Sequence, residues 1–204
     1  MNTRKSTYHH GNLREVLITS ALEILKEGTL QDLSLRALAR KAGVSQTAPY
    51  RHFEDKEALI VVLILEGSTI MQDYMKDAIA ISEDAVERLI NLGIAYYDFS
   101  QDHPAHFRLM FSGSVEDKDK YEVLVEADKN GSKMVEVIVA ECMKLPNAPK
   151  INPEIMRLAC WSLVHGLANL ILNDVIRDDI LKNNDKRTVV SEVISFYTKA
   201  MFEK

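Results

Sequence analysis

Cysteine is scarce in this chain of 204 residues: Cys142 and Cys160 are the only two, with no C-x-x-C spacing. Both lie in apolar helical patterns, so buried reduced thiols are expected and a disulfide framework or zinc site is not. Long apolar runs are missing too. The longest, Ala58 to Leu65, falls far short of the roughly 20 residues that span a bilayer. MNTRKSTYHHG carries no apolar signal segment, so a cytoplasmic protein without a membrane partner is expected. No glycine-rich phosphate loop, Ser/His/Asp order or Cys/His order stands out, which argues against an enzyme. Adjacent histidines such as His9-His10 point apart, and in DHPAH the roles of helix start and turn suit His103 and His106 better than metal ligation. No catalytic residue, metal or cofactor is expected.

What is present is ordinary for a globular domain: 47% hydrophobic and 27% charged residues. The net charge of −5 hides an asymmetry. Residues 1 to 53 hold eight Lys/Arg against four acids, or +4, which leaves −9 for the rest. A basic head on an acidic body concentrates phosphate attraction in the head.

The periodicity is helical nearly throughout, with no alternating strand run, so the expected fold class is all-α with about nine helices. The first runs from Leu13 to a stop at Gly28. Ser34 caps the second, Leu35 to Ala42, which ends at Gly43. A short third helix falls in SQTAPYRHF, residues 45 to 53, with Pro49 in its middle. Asp55 caps a fourth, from Lys56 to about Lys76. Further helices are expected from Ser82 to Asp102, from Pro104, from Tyr121 to Met143, from Glu154 to Asp174 and from Arg187 to Phe202.

The second and third helices carry a helix-turn-helix signature: small Ala39 for close crossing, Gly43 for a left-handed turn, then apolar anchors. LSLRALARKAGVSQTAPYRHFEDKEAL, residues 33 to 59, resembles the TetR family of transcriptional regulators. YHHGNLREVLITSALEIL resembles the opening of one large subgroup, and WSLVHG resembles that subgroup's Trp-His-Gly motif. The resemblance implies a DNA-binding head in residues 1–56 and an effector-binding, dimerising body in residues 57–204. It implies that Gln46, Thr47 and Ala48 face base edges in the major groove, with Arg36 able to address guanine. Ser34, Ser45, Tyr50, Arg51, His52 and Lys56 complete the implied DNA surface, mainly through phosphates. Arg4 and Lys5 suit a flexible arm along the DNA, and Asn12 a cap of the first helix.

Pro49 departs from the aliphatic residue usual in the family at this position. A rigid apolar ring can anchor the turn, so little base contact is expected from it; capping by Ser45 would push Ala48 away from helical angles, while capping by Thr47 would leave the proline harmless.

In the body, Ala159, Ser162, Gly166 and Leu170 share one helical face, and Val190, Val193, Ile194, Tyr197 and Met201 form a stripe on the last helix. Together they are the expected homodimer surface, a four-helix arrangement implied by the resemblance. Trp161 and His165 occupy another face. With Tyr96, Tyr97, His106, Phe107, Met110 and Met134 they are candidates for an apolar effector site, although such stripes serve equally as plain core. The expected function is a ligand-responsive regulator, most often a repressor, holding a near-palindromic duplex operator as a dimer until an unidentified small molecule releases it. The alternative is an all-α binding or enzyme-like bundle whose head contacts proteins.

Overall fold

The computed structural model describes residues 13–176 and 184–203. The expectations on Arg4, Lys5, His9, His10 and Asn12 lie outside them. All regular structure among the described residues is helical, with eight α-helices: α1 (Leu13–Glu27), α2 (Leu35–Lys41), α3 (Lys56–Ile79), α4 (Ala85–Asp102), α5 (Pro104–Met110), α6 (Glu122–Cys142), α7 (Pro153–Leu172) and α8 (Lys186–Phe202). Pro49–Arg51 and Lys118–Lys120 form 3-10 turns.

Several boundaries follow from local chemistry. The Ser34 hydroxyl accepts from the Ala37 N–H at 3.1 Å, and the Asp55 carboxylate accepts from Ala58 at 2.8 Å. Each satisfies a donor that a helix start leaves orphaned. Gly43 sits at φ +68°, the left-handed turn demanded of it. Ser82 does not open α4. Its hydroxyl accepts from the Asp84 N–H, and Asp84 caps the helix through Glu87.

The third expected α-helix is absent, which accounts for eight α-helices where nine were expected. Proline has no N–H to give the Ser45 carbonyl, so that oxygen takes the Ala48 N–H at 3.0 Å instead. The tighter pattern continues from Arg51 to Ala48 and from His52 to Pro49. Ala48 itself is helical at φ −62°, ψ −44°, and is not pushed out as capping by Ser45 would have required. Neither Ser45 nor Thr47 caps this turn; their hydroxyls face each other at 3.3 Å.

α3 is the spine, packed on α4, α5 and α6. Gly67 lets it meet α5 closely: a Cβ there would stand 2.8 Å from the Met110 sulfur and 2.9 Å from His106 Cβ. One apolar core runs without a break from the head (Leu17, Leu38, Phe53) through α3 (Leu59, Leu63) into the body (Phe99, Phe107). A second core gathers α4, α6, α7 and α8 around Val86, Ile138, Met156 and Ile194. By length and composition, Lys56–Ile79 and Pro153–Leu172 are both apolar enough to cross a membrane, unlike the shorter run seen in sequence. In α3 that character belongs to the shared core.

Candidate nucleic-acid interface and effector cavity

In the head, Pro49 is buried, so its ring is the anchor of the turn and is held away from any ligand face. Around it Ser45, Gln46, Thr47, Tyr50, Arg51 and His52 are all exposed, and Ala48 is half-buried. His52 does not tuck beneath the turn; its ring tilts against that of buried Phe53 at 6.4 Å. Ser34 and Arg36 are exposed at the start of α2. Lys41 is drawn off by Glu27 at 2.9 Å and Glu23 at 3.5 Å. Lys56 gives one hydrogen bond to the Leu30 carbonyl at 2.6 Å, tying α3 to the α1–α2 connection. An ammonium carries three donors, so two stay open for a phosphate.

A cavity of about 470 Å³ lies between α3, α4, α6 and α7, next to the α5 end. Of the residues expected at an effector site, Tyr96, Met110 and Trp161 line it. His165 stands one bond behind: its Nδ1 shares a 2.8 Å hydrogen bond with the Tyr96 hydroxyl, which accepts from the Trp161 indole N–H at 3.3 Å. Burial raises the Tyr96 phenol far above its ordinary value and lowers His165, so both favour their neutral forms.

The others are not on the lining. Phe107 is a core plug, 1% exposed, with its ring against those of Tyr96, Phe99, Phe111 and His165. Tyr97 is buried in the second core, and Met134 packs against it. His106 is buried under α3 and faces Glu66 at 3.4 Å. Sequence reasoning passed over Met71, Met75 and Ser68 on α3 and Ala127, Ser132 and Val135 on α6, which do line the space. The i, i+4, i+8 spacing of Ala127, Gly131 and Val135 on α6 was the available signal.

Burial holds His106 below its ordinary 6.5, Glu66 pulls it back, and His103 adds to the depression. A histidine kept neutral in the fold stabilises fully above the unfolded value, and that contribution is lost as pH falls below it. The melting temperature is therefore expected to decline from about pH 6.5 downwards, less so in His106→Gln. Identical declines in thermal scans of both proteins would remove His106 as the source. The two thiols are inert by the same physics: burial pushes Cys142 up to about 12 and Cys160 up to about 11.

On the expected dimer surface, Ala159, Ser162, Gly166 and Leu170 are exposed along α7, and a Cβ on Gly166 would meet nothing. Val190 and Ile194 are not on it, being 1% and 2% exposed inside the chain. Gly93 explains this: without a side chain it admits Ile194, whose Cγ2 would lie 3.1 Å from an added Cβ. Val193 and Met201 are half-buried. The large exposed apolar residues of α8 are Phe196 and Tyr197, at 68% and 50%.

Fold and surface together define a helix-turn-helix protein whose head is fused to a helical body holding an apolar cavity. Residues 17–63 match bacterial regulatory proteins of the tetR family, and residues 89–183 match the tetracyclin repressor-like C-terminal domain. The chain belongs to the TetR family of transcriptional regulators. An uncharacterized HTH-type transcriptional regulator of Haemophilus influenzae is 30% identical over 103 residues, 50% of either chain. The chain spans about half the length of the curated relatives it matches. A structure of a protein of unknown function from Rhodococcus sp. RHA1 superposes with TM-score 0.75 at 27% identity, covering 98% of this chain and 100% of that one. FadR from Bacillus subtilis, solved with stearoyl-CoA, shares the fold at TM-score 0.71 and 14% identity, over 91% and 97% of the two chains.

Proposed function

We propose that the chain is a homodimeric repressor that occupies a near-palindromic operator and leaves it when a small apolar effector fills the cavity. Residues 1–56 are the reading head; residues 57–204 hold the cavity and the dimer surface. Gln46, Thr47 and Arg36 read base edges, with Ala48 at their margin, while Ser34, Ser45, Tyr50, Arg51, His52 and Lys56 grip the backbone. The dimer forms on the exposed α7 face around Ser162 and Gly166, with Phe196 and Tyr197 from α8 in place of Val190 and Ile194.

The observation that carries this reading is that one helix touches both sites. α3 begins at Lys56, bonded to the head, and four of its residues further along, Ile64, Ser68, Met71 and Met75, line the cavity. α6 adds a second strut. Tyr121, just before it, donates to Glu57 in the first turn of α3, and Lys120 pairs with the same carboxylate at 3.7 Å. A ligand that moves α3 against α6 changes the spacing of the two heads in the dimer. A coupling of about 1–3 kcal/mol changes operator affinity some 5- to 150-fold, provided the ligand prefers the released state.

Selecting bound sequences from a random duplex library is the direct experiment. Enrichment of inverted repeats whose half-sites lie about 34 Å apart is expected. Enrichment of single half-sites, or of nothing, would sink the dimeric-operator reading.

A further inference from the structure

A second cavity of about 290 Å³ lies beyond the first, between α4, α7 and α8. The two share four lining residues, Met75, Tyr96, Val135 and Trp161, so these side chains are the wall between them. From this arrangement we infer that the effector is a linear hydrocarbon chain with an uncharged polar head, whose tail passes this wall and fills the second cavity. The inference rests on the cavity being the effector site.

The wall is yielding. Met75 is an unbranched thioether that changes rotamer readily. Trp161 is 43% exposed, and its indole N–H holds only the 3.3 Å bond to Tyr96. The polar atoms here are already matched, since the Tyr96 hydroxyl is hydrogen-bonded to His165 and receives from Trp161. A passing methylene chain therefore meets an apolar neck that asks for no hydrogen bond. A fused-ring ligand cannot thread between side chains carried on four packed helices, whereas a polymethylene chain can.

The far cavity repeats the chemistry: Leu89, Leu92, Val164, Ile194 and Met201 surround it, with Tyr197 and Thr198 as further hydroxyl-bearing residues on its lining. The head group is fixed by the first cavity's polar side. Arg157, its cation, is bonded through Nε to Glu154 at 3.1 Å and again through Nη2. The lining also carries the Asp128 and Glu154 carboxylates, which outnumber this one guanidinium, so a carboxylate or phosphate head meets net negative charge, while a hydroxyl can join the rim beside Ser132.

Trp161 is the chain's single tryptophan, so its fluorescence reports on the wall directly. Titration with primary alcohols of increasing length is expected to shift its emission, with the dissociation constant falling about fourfold per methylene. Leu163 and Cys160 line the far cavity and not the first, so in Leu163→Phe and Cys160→Leu, which narrow it, short alcohols are expected to bind as before while the gain stops at a shorter chain than in the wild type. Matching melting temperatures and unchanged short-chain affinity show that the variants fold. If wild type and both variants stop gaining at the same length, the tail stays in the first cavity and the inference falls, with the effector site intact. Carboxylates binding more tightly than alcohols of equal length would overturn the uncharged head. Absence of any shift with every chain would sink both the inference and the effector site it rests on.

Discussion

Raising salt from about 50 to about 200 mM is expected to weaken duplex binding by about 10³- to 10⁵-fold. The chain as a whole is acidic at −5, so this steepness can come only from the head. Lys41 is held by Glu23 and Glu27 and contributes little. Arg40 and Arg51 are exposed, and Lys56 keeps two donors open. Three cations in each of two heads supply six, the lower end of the six to ten phosphate contacts that give such a slope. Lys56→Ala is expected to weaken all sequences alike and flatten the slope, whereas Gln46→Ala is expected to cost about 1–3 kcal/mol at one base position only. Salt-independent affinity, measured by anisotropy of a labelled duplex, would refute the assignment of the head's cations to phosphate. Equal behaviour of the two variants would refute the division into gripping and reading residues.

Phe107→Ala is expected to lower stability by about 3–5 kcal/mol, since it empties a ring's volume inside a close-packed core. For a chain of this size that is a fall in melting temperature on the order of 6–20 °C. The site cannot collapse easily: Phe107 is 1% exposed and wedged among Tyr96, Phe99, Phe111 and His165, on α5 pressed tightly to Gly67 of α3. Phe111, 38% exposed and on the cavity lining, is the control, and Phe111→Ala should change ligand affinity far more than stability. The opposite pattern in paired thermal and binding titrations would restore Phe107 to the ligand contacts.

Position along the chain made the head far more legible than the body. Ser34, Ala39, Gly43 and Asp55 act within four or five residues of where they stand, through caps and a left-handed turn. Even Pro49 was readable as an anchor, although the 3-10 turn it imposes was not, because two starting points for that turn were open in sequence. Helical spacing says which residues share a face and nothing about which face turns inward. That is why Met71 and Met75 were missed at the cavity.

The sequence by itself determined an all-helical chain, the caps and turn of a reading head, and a basic head on an acidic body, because these depend on neighbours in the chain and on summed charge. Only the tertiary structure decided that Ile194 is core and Phe196 is surface. That choice belongs to the empty space over Gly93, which α4 brings to α8 from about a hundred residues away. It alone also placed Met75 and Trp161 together as a shared wall between two cavities, since a cavity exists only where the packing of several helices leaves volume unfilled.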